Sequence, residues 1–350
     1  MRTDAFEYDL PPELVAQEPA PRRDAARLMV LDRARDGVAE TSFAAIGDSL
    51  RAGDLLVLND TRVVPARLLA RKPGGGRVDL LLVTREEADS GGEVWRCMAS
   101  NGKGLRPGAR LSIAPGFDAD ILDEVDGGRI RVRLLAEDLR VGAALERHGL
   151  MPLPPYIRRE PEDPRRVLDH ERYQTVYARC PGAIAAPTAG LHFTEALMRS
   201  LEALGVGFAR LTLHVGPGTF RPVRGERIDQ HRLEPESFHL PEATAAAIEA
   251  CKARGGRVVA VGTTVTRVLE GRARDQGGVT PGEGWCGLYI TPGHRFRVVD
   301  ALVTNLHLPR STLLVLVAAF AGRESILAAY REAVARRFRF YSYGDAMLIL

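Results

Sequence analysis

The sequence predicts an α/β protein, with a discontinuous α/β catalytic domain into which a small antiparallel β-barrel domain is inserted. At 350 residues the chain is long for a single core, so two domains are expected. Residues 63–149 consist of short β-prone segments separated by Gly-, Pro- or Asp-containing turns, which is typical of a small barrel or sandwich. After the proline-rich segment 151–159, helical and strand patterns alternate to the end of the chain.

The domain boundaries follow from one further observation. Residues 53–58 (GDLLVL) form an apolar strand of the kind found in the later region, although they precede the β-rich part. We therefore assign residues 1–60 together with 150–350 to the α/β domain and residues 61–149 to the inserted barrel.

Composition narrows the class of protein. Hydrophobic residues make up 45% and charged residues 27% of the chain, as in ordinary soluble proteins, and the formal net charge is only +3. The longest apolar run, 313–321, is too short to cross a bilayer, and the N-terminus lacks the apolar stretch of a signal peptide. Four scattered cysteines without a CxxC pair argue against disulfides and structural zinc. We expect a cytoplasmic protein with no membrane association.

Near the N-terminus, polar residues lie next to two predicted strands: they precede the first strand and follow the second. Residues 29–31 form a short strand, and three arginines lie just before it. The strand at 53–58 runs directly into Asn59-Asp60-Thr61-Arg62. Polar residues at a strand end are where α/β proteins place their sites, although a plain Asx turn accounts for the same pattern.

The centre of the chain is a helix–strand unit between two polar loops. Thr194 is placed to cap a helix whose Leu197, Leu201 and Leu204 share one face, and Gly205 ends it. A strand is expected over 206–215. The flanking loops, PTAGLHF and LHVGPGTF, each carry a histidine, glycines and a threonine, which bring backbone N–H groups close to a ligand.

The C-terminal region repeats this arrangement. A helix over 241–254 is followed by a strand over 257–261, and Gly262-Thr263-Thr264 then opens another helix. Its N-terminus either offers N–H groups to an anion or is satisfied by its own threonine caps. The final residues are apolar, so the C-terminus is expected inside the core.

The motifs argue against two kinds of chemistry. The histidines show no HxxxH or HxH spacing, which argues against a metal site, and GxSxG is absent, which argues against a serine hydrolase. The remaining Gly/Thr turns, arginines and tyrosines suit a ligand with a carboxylate, a ribose and a flat base.

Several long motifs resemble one known family over essentially the whole chain, in order. They are YDLPPELVAQEPAPRRDAARLMVLDR, LVLNDTRVVPARL, PTAGLHFTEALM, LTLHVGPGTFRPV, AVGTTVTRVLE, TNLHLPRSTLLVLVAAFAG and YSYGDAMLIL. The chain is similar to the bacterial S-adenosylmethionine:tRNA ribosyltransferase-isomerases of queuosine biosynthesis.

This resemblance implies an activity and a set of substrates. The ribosyl part of S-adenosylmethionine would be transferred to 7-aminomethyl-7-deazaguanine (prequeuosine) at the wobble position of tRNA and isomerised, giving epoxyqueuosine, adenine and methionine. S-Adenosylmethionine would be a co-substrate, and no metal or other cofactor is expected. The resemblance also implies the α/β domain with its inserted barrel; we expect a monomer and leave a dimer open.

The implied reaction needs a base near the acidic C5′ protons of the sulfonium and a hydrogen-bond donor for the departing adenine. Candidates for these acid–base roles are His192, His214, His307, Asp60 and Asp345. Candidates for binding S-adenosylmethionine or the base are Thr188, Gly190, Gly216, Gly218, Thr219, Gly262, Thr263, Thr264, Arg267, Asn305, Tyr341 and Tyr343. Candidates for contacts with tRNA phosphates are Arg22, Arg23, Arg27, Arg62, Arg67, Arg71 and Lys72.

Structural explanations stay open for each group. A histidine can serve only as a buried hydrogen-bonding residue, the two tyrosines can be core aromatics, and the arginines can be solvated surface. Two other functions also remain possible at this point: a non-catalytic tRNA-binding protein, or a small-molecule hydrolase or lyase that uses the histidine loops.

Overall fold

The structure is a computed structural model that describes residues 1–35, 37–89, 91–102, 105–125, 129–137, 140–160, 162–220, 223 and 225–350, with backbone alone at 89, 124–125, 219–220 and 276. Its strands are β1 Arg27–Leu31, β2 Val38–Ser42, β3 Leu55–Asn59, β4 Thr61–Val63, β5 Arg67–Arg71, β6 Arg77–Asp89, β7 Gly92–Ser100, β8 Arg110–Ala114, β9 Phe117–Val125, β10 Arg129–Ala136, β11 Cys180–Ala183, β12 Gly207–Leu213, β13 Glu236–Leu240, β14 Val258–Val261, β15 Gly282–Cys286, β16 Ala301–Asn305 and β17 Ala346–Ile349. Its α-helices are α1 Val141–His148, α2 Arg165–Arg172, α3 Glu195–Ala203, α4 Glu242–Ala253, α5 Thr263–Gln276, α6 Thr312–Ala321 and α7 Arg323–Ala335.

A nine-stranded mixed sheet forms the centre of the α/β part, in the order β15-β13-β12-β3-β14-β16-β17-β1-β2. The four strands β12, β3, β14 and β16 run parallel to one another. The C-terminal strand β17 lies between β16 and β1, antiparallel to the first and parallel to the second. The expected burial of the C-terminus is therefore confirmed.

Both faces of this sheet are covered, which explains why its inner strands are continuously apolar. Along β3, Leu55 and Val57 pack into a cluster with residues of α4, α5, α6 and α7, whereas Leu56 and Leu58 pack on the opposite face against α3. The alternation follows from the two-residue period of a strand. The sheet thus holds its strand ends in fixed positions between two helical layers.

The inserted part is a closed antiparallel barrel of six strands in the order β10-β7-β6-β5-β8-β9. Its interior is filled by alternate side chains, including Leu68, Leu80, Leu82, Val132 and Leu134, all fully buried. The predicted fold class, α/β with an inserted barrel, is confirmed. The barrel strands begin at Arg67, and the preceding β4 pairs in parallel with β11 instead of joining the barrel.

The helix that follows the PTAGLHF loop matches its prediction in most respects. The side chain of Thr194 accepts a hydrogen bond from the Leu197 N–H, so it caps α3 as expected. Leu197 and Leu201 are buried. Leu204 directly follows the helix and is 55% exposed, and its side chain, like that of Leu201, lies next to Gly47.

Within the described residues, no single helix is both long and apolar enough to span a bilayer. Helices α6 and α7 reach that length only as a pair, and they are bent by 116°.

Candidate functional site

The site lies where the carboxyl ends of the parallel strands β12, β3, β14 and β16 meet at one edge of the sheet. Each of these strands is followed by one of the polar loops singled out in the sequence, and parallel pairing brings the loops side by side. Ligands in open α/β sheets bind at this edge. The loops line two adjoining cavities, and Val215 contributes to both.

The first cavity is a narrow pocket over the ends of β14 and β16. Six of the candidates from the sequence are among the residues that line it. Five were expected to bind the substrate and one, His307, to act as an acid or base: Thr188, Gly262, Thr263, Thr264, Asn305 and His307. Its volume of about 30 Å³ admits a water molecule or a small polar group and no nucleoside. We call it the strand-end pocket.

Helix α5 begins at this pocket. Gly262 adopts a positive φ of 96°, and no side chain caps the helix, so its first N–H groups and the positive end of its dipole face the pocket. On the opposite wall, the Thr188 hydroxyl donates a hydrogen bond of 2.8 Å to Asn305 Oδ1. These features favour a small anionic or hydroxyl group as occupant.

The two histidines at this pocket are deeply buried. His307 Nε2 lies 2.8 Å from the Thr304 hydroxyl, and burial lowers its pKa to about 3. His192 Nε2 lies 3.2 Å from Asn305 Nδ2, and burial lowers its pKa to about 4. Both imidazoles are therefore neutral at pH 7. His192 does not itself line the pocket, but it bonds to Asn305, which does.

The second cavity is a cleft of about 730 Å³ between the barrel and the edge of the sheet, within the size range of small-molecule sites. We call it the interdomain cleft. His214, Gly216 and Gly218 line it from the α/β side, and Trp95 lines it from the barrel.

His214 is held at the floor of this cleft by its neighbours. Its Nδ1 lies 2.8 Å from the Thr61 hydroxyl, which leaves Nε2 as the ring nitrogen without a hydrogen bond from any described residue. Partial burial lowers the pKa of His214, and the nearby charge of Asp60 opposes that shift. The ring is neutral at pH 7 and suited to accept a proton.

The backbone at Gly182 packs closely against this ring. A Cβ on Gly182 would lie 2.8–3.0 Å from three ring atoms of His214, and Gly182 has a φ of +149°, so only glycine fits against the imidazole here. Asp60, the neighbouring candidate, accepts a hydrogen bond of 2.7 Å from the Thr212 hydroxyl and is buried.

Arg267 does not reach the strand-end pocket, contrary to the expected contact with a methionine carboxylate. Its buried guanidinium donates to Glu236 Oε2 at 2.5 Å and to the carbonyls of Leu288 and Cys286 at 3.0 Å. Glu236 Oε1 in turn accepts the N–H of Gly216 at 2.7 Å. Arg267 therefore supports the loop after His214 through Glu236.

Three further candidates for substrate binding are instead packed against other residues of the protein. A Cβ on Gly190 would lie 1.9 Å from the Tyr177 hydroxyl oxygen, so this glycine makes room for a tyrosine and not for a ligand. Tyr341 and Tyr343 are 2% and 3% exposed; Tyr343 donates to Asp169 at 2.9 Å. They lie in the core and outside both cavities.

The carboxylate of Asp345 also has a structural role, because it accepts hydrogen bonds from the backbone. Its two carboxylate oxygens accept the N–H groups of Arg27 and Arg339 at 2.9 and 2.8 Å, and burial raises its pKa. It joins the start of β1 to the turn before β17. The side chain of Thr219 lies outside the described residues.

The arginines expected to contact RNA have different surroundings. Arg62 lines the interdomain cleft and pairs with Glu146 at 3.1 Å. Arg23 and Arg27 bind backbone carbonyls or Glu40. Arg67 pairs with Asp79, and Arg22 with Asp24. Arg71 is exposed at the end of β5, and Lys72, half-buried, follows it.

Among the described residues, no group of three or more His, Cys, Asp or Glu side chains is placed to hold a metal ion. The four thiols are free, and all except the half-buried Cys180 are buried.

Sequence reasoning overlooked four residues of the site: Thr61, Gly182, Glu236 and Trp285. Thr61 lay within the polar motif at the end of β3, which offered a signal for it. No local sequence pattern indicated the other three. Gly182 and Glu236 contact residues that are 20 to 32 positions away in the chain, and the position of Trp285 at the cleft depends on the tertiary structure.

Comparison with known proteins gives a consistent result. The family model described as queuosine biosynthesis protein matches residues 3–349. The S-adenosylmethionine:tRNA ribosyltransferase-isomerase of Geobacter metallireducens is 53% identical over 349 residues, covering 100% of both chains. The protein of the same name from Aquifex aeolicus is 49% identical over 351 residues, again covering both chains completely. The crystal structure of S-adenosylmethionine tRNA ribosyltransferase from Thermotoga maritima is similar with a TM-score of 0.55 and 38% identity, covering 99% of this chain and 100% of that one.

Proposed function

This chain belongs to the queuosine biosynthesis protein family, and from that premise we propose that its reaction takes place in the interdomain cleft, with His214 as the base. It is an enzyme that transfers and isomerises the ribosyl group of S-adenosylmethionine on tRNA. The alternatives of a non-catalytic RNA-binding protein and of a hydrolase are not favoured, since relatives that match the whole chain are named for the transferase activity.

The observation that carries the proposal is the placement of His214. It is the one histidine of the three candidates that lines a cavity large enough for a substrate, and Thr61 orients its ring. The buried His192 and His307 would help to shape the strand-end pocket as neutral hydrogen-bonding groups.

S-Adenosylmethionine would span the two adjoining cavities. The methionine carboxylate is matched by the N-terminus of α5, where Thr263 and Thr264 line the strand-end pocket. The sulfonium and ribose would then extend past Val215 into the cleft, towards His214. The glycines at 216 and 218 let the loop backbone approach the nucleoside closely.

In this arrangement His214 Nε2 would remove a proton from C5′, which the adjacent sulfonium makes acidic. The aminomethyl nitrogen of the RNA base would bond to C1′ and shed a proton as the C1′–N bond breaks, and adenine would leave after gaining a proton on its ring nitrogen. The electron pair left at C5′ would then be used in the isomerisation, in which the C5′–S bond breaks and methionine leaves as the epoxide closes. The neutral state of His214 at pH 7 fits a base, because a protonated imidazole cannot accept the C5′ proton.

The experiment is incubation of the enzyme with prequeuosine-containing tRNA and S-adenosylmethionine, followed by mass analysis of the nucleoside and of released adenine. We expect epoxyqueuosine and one adenine for each ribosyl group transferred. Release of adenine without RNA, or no change in the nucleoside, would contradict the function.

We expect His214→Ala to lower kcat by about 100-fold or more while the melting temperature changes little, since the ring is partly exposed and lies at a cavity. For the wild type, activity should fall as the pH drops through the lowered pKa of His214. A His214→Ala enzyme with wild-type turnover would leave this histidine with a structural role only.

The proposed activity also leads to proposals about the RNA substrate, metal use and cellular location. We propose that the RNA substrate carries prequeuosine at the wobble position, that no metal takes part, and that the reaction occurs in the cytoplasm. A monomer contains both cavities in full, so we propose that a single chain is sufficient for activity.

A further inference from the structure

Trp285 is a large apolar side chain on the surface of this protein, 68% exposed. It lies on β15, one of the two edge strands of the sheet, opposite Ser237. Burying such a ring in the core would have removed much more apolar surface from water, so its exposure at a cavity points to a binding role. The ring lines the interdomain cleft, as does His214.

The charges around the cleft are compensated in pairs. Among the described residues lining it, the four carboxylates each have an arginine partner. The pairs are Arg85–Glu93 at 3.6 Å, Arg62–Glu146 at 3.1 Å, Arg267–Glu236 at 2.5 Å and Arg129–Glu234. A cleft whose charges cancel in this way offers little attraction to a phosphate.

Much of the rest of the wall is apolar or aromatic, although Thr84, His214 and Ser237 also line it. Four prolines line the cleft, at positions 65, 181, 217 and 235, together with Leu145 and the two tryptophans. Trp95 is 9% exposed and its Nε1 donates to Glu93 at 2.9 Å, so it is held in place. A neutral, aromatic wall of this kind suits the flat face of a nucleobase.

We propose that Trp285 is a stacking platform for an unpaired base of the tRNA anticodon loop, a nucleotide adjacent to the one that is modified. This inference rests on the proposed function, since it takes the target base to lie near His214 in the same cleft. Bases of RNA loops are unstacked easily, and stacking on an aromatic side chain holds them without demanding a particular sequence. The platform would hold the loop at the mouth of the cleft while the modified base enters it.

The test uses the two tryptophans of the chain as separate probes. In Trp95→Phe, fluorescence reports on Trp285 alone; in Trp285→Phe, it reports on Trp95. Titration with an anticodon stem–loop RNA should quench the fluorescence of the first variant and protect it from acrylamide. Fluorescence of the second should change much less.

Kinetics supply an independent measurement. We expect Trp285→Ala to raise the KM for tRNA by about ten-fold or more, with little effect on kcat or on the KM for S-adenosylmethionine, and Trp285→Phe to restore most of the loss. Leu204→Ala, at an exposed apolar residue outside both cavities, is the matched control and should leave all constants unchanged.

A wild-type KM for tRNA in Trp285→Ala, or no quenching of Trp285 by RNA, would overturn the platform while leaving the transferase activity in place. A concentration-dependent dimer that the same substitution dissociates, measured by sedimentation, would overturn it in favour of a contact between two copies of the chain. Failure of the wild type to modify tRNA would instead count against the proposed function.

Discussion

At the scale of single residues, the site depends on how closely backbone and ring approach each other. Gly182 packs against the imidazole of His214, whose Nδ1 is at the same time fixed by the Thr61 hydroxyl. These two contacts restrict the orientation of a ring that lines the cleft. Such fixed placement matters because small displacements of a reacting group reduce the rate steeply.

Replacing Gly182 by alanine tests this placement. The added Cβ would meet the His214 ring at 2.8–3.0 Å and the backbone would be strained at a φ of +149°, so the ring must move. We expect kcat to fall by about 100-fold in Gly182→Ala, measured as adenine release with tRNA present. Gly74→Ala is the control, because nothing lies within 4 Å of its Cβ. Equal rates in the two variants would show that the contact at Gly182 does not position the ring.

At the scale of elements, a buried ion pair joins helix α5 to the loop that follows β12. Glu236 on β13 accepts from Arg267 of α5 at 2.5 Å and from the Gly216 N–H at 2.7 Å. Both side chains are almost fully buried. The pair thereby ties the helix that begins at the strand-end pocket to the glycine loop of the interdomain cleft.

Removing the charge of Glu236 leaves the Arg267 cation buried without its counter-ion. We expect Glu236→Gln to lower the free energy of unfolding by about 3 kcal/mol, measured by urea denaturation. The double variant Glu236→Gln with Arg267→Met should recover part of this loss, because no buried charge remains. A single variant as stable as the wild type would mean that the pair contributes nothing to the fold.

At the scale of the whole molecule, the stability of the protein should depend on pH through its buried histidines. The folded-state pKa values of His192 and His307, about 4 and 3, lie below their ordinary value of 6.5. The unfolded chain therefore binds more protons than the folded one between these limits. The stabilisation that the neutral rings provide is complete above about pH 6.5 and is lost as the pH falls towards 4 and 3.

We expect the free energy of unfolding to decrease by up to about 1.4 kcal/mol per pH unit for each of these histidines below pH 6. His192→Asn should reduce this slope by the contribution of one group, whatever its effect on stability at pH 7. Urea denaturation at several pH values measures the slope. An unchanged slope in the variant would show that His192 is not buried as a neutral ring.

Local patterns in the sequence determined the class of fold and most of its elements. Periods of two and of about 3.6 residues, with glycine and proline at the breaks, predicted the barrel, the strands at the sheet centre and helices such as α3 and α5, because these depend on nearby residues. The long motifs also indicated the family and its reaction. The pattern placed Leu204 on the face of Leu201 but gave no exposure for it, because exposure at the end of a helix depends on what packs there.

Only the tertiary structure decided how the polar loops are shared between two cavities. Parallel pairing of β12, β3, β14 and β16 brought loops from distant parts of the chain to one edge, and the packing of the barrel left the cleft beside them. It also placed Arg267, Asp345 and the two C-terminal tyrosines in structural contacts, while Thr61 and Trp285 took positions at the cleft. The physical reason is that a side chain's role depends on partners far away in sequence, and local composition does not record which groups folding brings within hydrogen-bond distance.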